Sequence, residues 1–362
     1  MLAGVGLVSA LGYDAPTALA AARAGLSRAC AQAHWRQRSG VTGLEEAVAG
    51  HSADLLTLGF AGDTRLLRLA QGALNDLLTR GMDAAQLQQR VGLFVAMPDP
   101  GRTRSCQALM PEGTALDPAE EGDSGTRMGQ RVQALTTGIA WPQTPCKFFW
   151  SHLGHAAGAV AMAAATQALL AGQVDTAIVL AADSMLDDDT LCWLAVCGRL
   201  KCDDAPAGLM PGEAAVALAL RRGGEAAQPL ARLHGLALAE EPLALGEGRV
   251  SSGEVLAAAL AQTWSAAPSP HVWMLGDHNG EIYRANEWGS MLARLRAVDA
   301  SFADPAIWFP ALSFGDTGAA SMPLAVAMAS HAWQRRCAPG PAALVAACAD
   351  GGERATLMLC AS

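Results

Sequence analysis

An internal repeat constrains the fold of this chain more than any other feature of its sequence. The segment Gly154–Ala159 parallels Gly315–Ala320, and an alanine-rich stretch of helical composition follows each of them. Each stretch leads into an apolar strand that ends in Ala-Asp, at Asp183 and at Asp350. The period is about 160 residues, and the repeated order of strand, helix and strand predicts two related α/β halves with mixed sheets.

The two halves are predicted to span residues 1–222 and 223–362. Residues 99–140 are rich in Gly, Pro, Thr and charged side chains, and they predict a long excursion over the first sheet. Residues 223–242 predict a separator between the halves. Periodicity and turn residues further predict strands near 2–8, 91–98, 175–183 and 271–277, helices near 15–24, 65–80, 190–201, 253–264 and 287–298, and two strands within 341–361.

Composition and charge exclude several classes of protein. Hydrophobic residues make up 51% of the 362 residues and charged residues 16%, so the chain can bury a large core. The net charge of −9 argues against nucleic-acid binding. Because we find no basic leader and no apolar run of membrane-spanning length, we expect a cytoplasmic protein with reduced thiols. Cys192, Cys197 and Cys202 match no common zinc spacing, and neither a metal nor a cofactor is expected.

Several stretches occur in a characteristic order along nearly the whole chain: VGLVSALG with LAAARAGLS, ALLAGQVDTAIVLAADS, GRLKCDDAPAGLMPGEAAVALAL and FGDTGAASMPLAVAMA. Together they resemble the thiolase superfamily and, within it, the β-ketoacyl synthases. The resemblance implies an α/β thiolase-like fold, in which two pseudo-repeated βαβαβ halves form α-β-α-β-α layers. It also implies a dimer, because that fold usually dimerises through an edge strand and neighbouring helices.

The resemblance implies where a nucleophile should lie. In β-ketoacyl synthases a cysteine begins the buried helix of the first half, where the helix dipole favours the thiolate. That position holds His155 here, and the nearest cysteine, Cys146, lies upstream in the preceding predicted strand. One interpretation makes His155 a neutral nucleophile or base at a helix N-terminus. The other, which we favour, is a histidine that fills the vacated cysteine pocket and bonds a backbone carbonyl.

The same resemblance places two further catalytic groups, His with His or Asn, in the second half. The first position falls on Asp277 or His278, and the second falls on Asp316. The family lysine five residues before Asp316 is replaced by Ala311. Asp316 also has a structural interpretation, since an aspartate at a helix start is a favoured N-cap.

Two other interpretations follow from spacing. His152 and His155 are three residues apart, so one helical face could present both to a divalent ion, which the second-half acidic and histidine positions would complete. On the predicted helix after Asn279-Gly280, side chains at helical spacing are expected to form ion pairs or an interface; these are Glu281, Arg284 and Glu287.

Loss of the cysteine and lysine predicts a non-condensing accessory protein, either a chain-length-factor-like partner of an active ketosynthase or an adaptor. The run DSMLDDDTLCWLAVCGRLK with GDHNGEIYRANEW resembles thiolase-like proteins encoded among type VI secretion genes. Implied partners are a second copy, a ketosynthase or a secretion effector, with an acyl carrier protein or CoA thioester as ligand. The alternative is an active 3-oxoacyl-ACP synthase-type acyltransferase, or a decarboxylase, that works through His155. Carboxylates at Asp277 and Asp316 argue against it, because they would repel an enolate.

Overall fold

The computed structural model describes residues 1–83, 86, 88–102, 130, 133–137, 145–224, 228–243, 245, 250–264 and 272–362. Its strands are β1 (Leu2–Ser9), β2 (Cys30–Arg38), β3 (Glu45–Gly50), β4 (Val91–Ala96), β5 (Lys147–Ser151), β6 (Thr176–Ser184), β7 (Glu213–Arg221), β8 (Arg232–Glu240), β9 (Trp273–Gly276), β10 (Ala306–Trp308), β11 (Ala342–Cys348) and β12 (Glu353–Cys360). Its helices are α1 (Ala15–Arg23), α2 (Asp54–Thr57), α3 (Gly62–Asp76), α4 (Ala157–Leu170), α5 (Asp188–Val196), α6 (Glu254–Trp264), α7 (Ile282–Val298), α8 (Ala311–Phe314) and α9 (Ser321–Gln334).

Two five-stranded sheets repeat one topology. The first has the order β1-β7-β6-β4-β5, and the second, read from its other edge, has the order β8-β12-β11-β9-β10. In both sheets the first three strands are antiparallel neighbours and the last three are parallel neighbours. The internal repeat predicted from the sequence is therefore confirmed by strand order and direction. Each sheet lies on one side of residue 222, but a domain boundary there stays a prediction.

Helices and sheets alternate in five layers. Helix α3 packs on the outer face of the first sheet, and α6 and α7 cover the outer face of the second. Helices α4 and α9 lie between the sheets and contact both of them, with α1 beside α9. This is the α-β-α-β-α arrangement expected from the sequence.

The alanine and glycine content of the central helices explains how they fit between two sheets. Most of α4 and α9 is buried, and their small side chains allow a close approach of backbones. At the crossing, a Cβ on Gly158 would lie 2.5 Å from Pro323 Cδ. Each helix follows a one-turn 3-10 segment that begins at a glycine with positive φ, 50° at Gly154 and 49° at Gly318. The structural repeat thus pairs Gly154 with Gly318, three residues beyond the Gly315 chosen from sequence.

Two segments differ from what the sequence predicts, and a third predicted segment lies mostly outside the described residues. The hairpin of β2 and β3 was not predicted, since its side chains show no clear alternation of polar and apolar residues. Strand β8 occupies part of the predicted separator. Most of the predicted 99–140 excursion lies outside the described residues. Within the described ranges, no helix is long and apolar enough to cross a membrane.

Candidate functional site

The site lies where the parallel strands of both sheets end. Strand β5 leads through the 3-10 turn to His155, β9 leads directly to Asp277, and β11 is followed by Asp350. Asp316 is in the loop between α8 and α9. Carboxyl ends of parallel strands are the common location of binding sites in α/β folds, and here the repeat brings two such ends together.

His155 is buried, with both ring nitrogens in contact with charged groups. Its relative exposure is 4%. Nε2 lies 2.8 Å from Asp316 Oδ1, and Nδ1 lies 3.2 Å from Arg284 Nη2. The expectation of a backbone carbonyl partner for His155 is therefore wrong, because a carboxylate and a guanidinium from the second half are within reach.

Arg284 lies on the first turn of α7, is 1% exposed and contacts several other residues of the site. Its Nη1 donates to Asp277 Oδ2 at 2.8 Å and to the Cys348 carbonyl at 2.6 Å. Its Nη2 donates to Asp350 Oδ1 at 3.1 Å as well as reaching His155. A planar guanidinium can serve several acceptors at fixed angles, which suits a buried junction of carboxylates. The buried ion network is defined by His155, Asp277, Arg284, Asp316 and Asp350.

Asp316 joins the network to the start of the second central helix. Its Oδ1 also accepts from Gly318 N at 2.8 Å, and its Oδ2 accepts from Asn279 Nδ2 at 2.6 Å. Asp316 is not itself the N-cap residue, because Thr317 holds that position for the 3-10 turn and Ala320 for α9. It precedes the turn and bonds both the first backbone N–H of the turn and His155. Asp316 therefore fixes His155 relative to the backbone of the other half.

A second layer of charged groups surrounds Asp350. Arg199 Nη1 lies 2.7 Å from Asp350 Oδ2, and Arg199 Nε lies 2.6 Å from Glu281 Oε1. The Tyr283 hydroxyl donates to Asp350 Oδ1 at 2.7 Å. These contacts compensate the buried charge of Asp350 and tie the loop after α5 to α7.

Asp183 makes the corresponding link from the first sheet. Its Oδ2 accepts from Ala319 N at 2.8 Å, and its Oδ1 pairs with Arg102 Nη2 at 2.8 Å. The strand-ending aspartates of the two repeats, Asp183 and Asp350, therefore both hold an arginine beside the central turns.

The electrostatics of the network favour ionised side chains. Burial lowers the pKa of His155, Asp316 raises it and Arg284 lowers it again, and the net pKa lies above that of a free imidazole. Burial raises the pKa of Asp316, but His155 and Arg284 lower it well below its ordinary value. An Arg284 N–H can donate to Nδ1 only while that nitrogen carries no proton, and a neutral imidazole with its proton on Nε2 satisfies both contacts at once. Protonation of Nδ1 removes the Arg284 hydrogen bond.

A cavity of about 460 Å3 opens beside His155. Charged side chains from both halves line it, among them Arg102, Asp183, Arg199 and Asp350. These groups pair as Arg102 with Asp183 and Arg199 with Asp350, so their charges are compensated within the cavity wall. Apolar side chains, Leu153, Met185 and Leu209 among them, line the rest of it.

Comparison with known proteins identifies the fold. The sequence matches no protein-family model and no curated protein. A type II polyketide synthase ketosynthase, in complex with its acyl carrier protein, has a TM-score of 0.78 at 14% identity, covering 100% of this chain and 98% of that chain. A ketosynthase with its chain length factor from Xenorhabdus doucetiae has 0.71 at 16%, covering 100% and 97%. The ishigamide ketosynthase/chain length factor has 0.69 at 19%, covering 99% and 98%.

The fold is thiolase-like. At these identities the similarity establishes the fold alone, and the predicted fold class is confirmed. The structure brings His155, Asp277 and Asp316 together around Arg284. The degenerate character of the site and the link to type VI secretion stay predictions.

His278 and Cys146, also named from the sequence, lie apart from the network. The His278 ring packs edge-on against Phe309, with centroids 5.1 Å apart. Cys146 is exposed and precedes β5, so a full strand separates it from His155. Of these positions, the structure therefore selects Asp277 rather than His278 as the second-half group near His155.

The proposed metal cluster does not form. His152 Nδ1 lies 3.3 Å from the Pro98 carbonyl and makes no contact with the network. In the part of the chain that the structure describes, no three His, Cys, Asp or Glu side chains converge as metal ligands. The predicted three-residue pairing on α7 is also partly wrong, because Glu287 pairs with Arg354 at 2.7 Å, while Glu281 lies 3.7 Å from Arg284.

Arg284, Arg199 and Asp350 are the site residues that sequence reasoning missed. Arg284 was interpreted as a surface ion-pair residue, and its burial depends on the angle at which α7 meets β9. The repeat did mark Asp350 as the end of a strand. An arginine three residues after a helix-starting glutamate gives no local sign that it points inward.

Proposed function

We propose that this protein is a ketosynthase-like accessory protein that performs no condensation. The observation that carries the proposal is the engagement of both ring nitrogens of His155, by Asp316 at 2.8 Å and Arg284 at 3.2 Å. A histidine nucleophile or general base needs one nitrogen that is free and directed at the substrate. The side chain of His155 is also nearly fully buried, so an acyl thioester cannot reach Nε2 without breaking the Asp316 contact.

The charge of the surroundings supports the same proposal. Decarboxylation or condensation on a thioester builds negative charge on the carbonyl oxygen, and catalysts place hydrogen-bond donors there. Around His155 the nearest second-half groups include the carboxylates of Asp277 and Asp316. The positive charge of Arg284 is already shared among Asp277, Asp350 and the Cys348 carbonyl. Little donor capacity is left for an enolate.

The Cys348 thiol is poorly suited to act as a nucleophile in place of His155. Cys348 is near Arg284 through its backbone, but burial raises the pKa of its thiol well above the ordinary value. Its side chain packs in the apolar cluster on the α6–α7 side of the second sheet. A buried, protonated thiol is inert toward thioesters.

Covalent acylation tests the proposal. The protein is incubated with acyl-CoA and malonyl-CoA, and its intact mass is measured. We expect no acyl adduct, apart from incidental labelling of an exposed thiol, for which Cys146→Ser is the control. An adduct that persists in Cys146→Ser and disappears in His155→Ala would support acyl transfer through His155 and contradict the proposal.

The alternative, an acyltransferase that uses His155, is favoured by one observation. His155 and Asp316 form a histidine–carboxylate pair beside a cavity of about 460 Å3, an arrangement that in hydrolases orients a catalytic imidazole. It requires Nδ1 to leave Arg284 and face the cavity. Activity that increases in Arg284→Met would favour this alternative.

A role as a chain-length-factor-like partner of a ketosynthase is part of the proposal, since solved structures with this fold include ketosynthases in complex with such factors. Strand β5 is at an edge of the first sheet and carries consecutive half-buried aromatic residues, Phe148, Phe149 and Trp150. Among the described residues no strand pairs with the outer edge of β5, and an apolar edge of this kind is suited to pairing with a second copy or a ketosynthase. We expect light scattering to give twice the chain mass of 37.2 kDa, or co-purification to give a stoichiometric complex. A monomer that recovers no stoichiometric partner from its own cells would contradict this.

The narrower role of an adaptor in type VI secretion rests on the sequence resemblance alone. Genes for secretion effectors or spike proteins beside the gene for this chain are the expected observation. A neighbourhood of polyketide or fatty-acid genes would favour the chain-length-factor role instead.

A further inference from the structure

A groove of about 440 Å3 lies away from the buried ion network, between β2 and the turn that joins α2 to α3. One wall is formed by residues 30–34 of β2, and the other includes Leu58 and Phe60. The ladder between β2 and β3 is irregular between Ala31 and Arg36. This wall of the groove is therefore not a regular paired strand.

Helix α2 and the turn that follows it expose large apolar side chains beside the groove. Leu55 is 83% exposed, Leu58 80% and Phe60 39%. Single exposed leucines are common on protein surfaces, but several within six residues at the margin of a groove form a patch. Patches of this kind are typical of binding surfaces, and the groove supplies the concave shape that an inserted side chain needs.

The margin of the groove is acidic. Asp54 and Asp188 are exposed and line it together with Asp187. A smaller cavity of about 270 Å3 adjoins the groove and shares Arg65 and Asp187 with it. Further carboxylates line this second cavity: Asp63, Asp99 and Asp189.

Two arginines near the groove have other partners. Arg65 is bonded to the buried Glu213 at 2.6 Å, and the guanidinium of Arg68 lies over the Phe60 ring, 5.5 Å from its centroid. Burial and the neighbouring carboxylates of Asp187 and Asp188 raise the pKa of Asp189, as expected where negative charges lie close together. At the margin itself, Asp54, Asp187 and Asp188 accompany His34, whose Nε2 lies 3.6 Å from Asp188. The groove therefore combines an apolar centre with a net negative margin.

We propose that the groove and the exposed α2–α3 turn bind a basic amphipathic segment of a partner protein. Apolar side chains of that segment contact Leu55, Leu58 and Phe60, and its flanking lysines or arginines pair with the carboxylates at the margin. A second copy of this chain is a poorer occupant, because its own net charge is −9. The proposal is independent of catalysis, so its failure would leave the proposed function untouched.

The test measures binding of the full chain to a fluorescein-labelled model peptide made of leucine and lysine in an amphipathic helical pattern, by fluorescence anisotropy. A peptide in which glutamate replaces lysine is the comparison. We expect the lysine peptide to bind, the glutamate peptide not to bind, and added salt to weaken binding severalfold. Leu55→Ser/Leu58→Ser and Asp54→Asn/Asp188→Asn should each lower the affinity about tenfold or more.

The control variant is Leu170→Ser/Asp304→Asn, which changes an exposed leucine and an exposed aspartate elsewhere and should bind the lysine peptide as the wild type does. All the substituted side chains are exposed, so circular dichroism should show wild-type folding. Equal binding of the two peptides, or equal loss in the control, would overturn the proposal. Self-association that disappears in Leu55→Ser/Leu58→Ser would also overturn it, since the occupant would then be a second copy.

Discussion

Replacing Arg284 by methionine should destabilise the protein strongly, because it removes the cation at the centre of the buried ion network. Methionine has a similar length and apolar stem, so the change tests charge and hydrogen bonding more than volume. The guanidinium bonds Asp277 at 2.8 Å, Asp350 at 3.1 Å and the Cys348 carbonyl at 2.6 Å. All these partners would lose a donor in the variant.

Of the two carboxylates, Asp277 would be left with fewer hydrogen-bond donors than Asp350. Asp350 keeps Arg199 at 2.7 Å and the Tyr283 hydroxyl at 2.7 Å. Asp277 keeps only the Cys348 backbone N–H among its described partners, and its Oδ1 already lacks a hydrogen-bond partner. Removing one member of a buried ion pair costs about 3–5 kcal/mol, since the other charge stays buried. We expect a loss in that range.

Urea unfolding followed by tryptophan fluorescence measures the free energy of unfolding, with Arg294→Met as the control. Arg294 is on the same helix, its side chain is 47% exposed and it lies 3.9 Å from Glu254, so its replacement should cost about 1 kcal/mol or less. Adding Asp277→Asn to Arg284→Met should recover about 1–3 kcal/mol by removing the unpaired charge. A loss for Arg284→Met no larger than that of the control would refute the structural role of the network.

Two further changes should alter stability in predictable directions. Because the pKa of His155 in the folded protein lies above the ordinary value of 6.5, its stabilising contribution is complete below pH 6.5 and is lost as pH rises through the folded pKa. Urea midpoints at about pH 6 and about pH 9 should therefore differ less in His155→Asn than in the wild type, and an unchanged difference would count against this contribution. Gly318→Ala should lower the free energy of unfolding by about 3 kcal/mol or more, because its Cβ would lie 2.0 Å from Asp183 Oδ2 at a φ of 49°. The control Gly172→Ala, at a glycine with positive φ and open space, should cost about 1 kcal/mol when both variants are compared by thermal unfolding.

The repeat made most of the fold predictable, because it appears as matched glycine turns and alanine-rich helices that survive in a single sequence. The structure has the same order of elements, and it shows that Gly318 is the counterpart of Gly154. The sequence alone does not favour Gly318 over Gly315 as that counterpart. The sequence does not predict the β2–β3 hairpin, because only the face of it that carries Trp35 and Val48 packs against an apolar cluster, which includes Leu191 and Leu194 of α5. Such a half-exposed pair has little periodic signal.

The sequence predicts site residues whose positions follow from strand ends and turns. It does not predict a residue whose position depends on how a helix packs against its sheet. His155, Asp277 and Asp316 follow strand ends or glycine turns, and the resemblance to β-ketoacyl synthases implied that they would lie near one another. Arg284 reaches the site only because α7 begins immediately behind β9 and directs its first inner turn toward Asp277. Its spacing from Glu281 equally suits an exposed helical ion pair.

Turnover of thioesters tests the central claim most directly. Wild-type protein and His155→Ala are compared for release of free thiol and CO2 from malonyl-CoA, and for release of thiol from acyl-CoA. We predict that both proteins give the rates observed without protein, because Asp316 and Arg284 engage His155 and carboxylates surround it. Turnover by the wild type that His155→Ala abolishes would contradict the account.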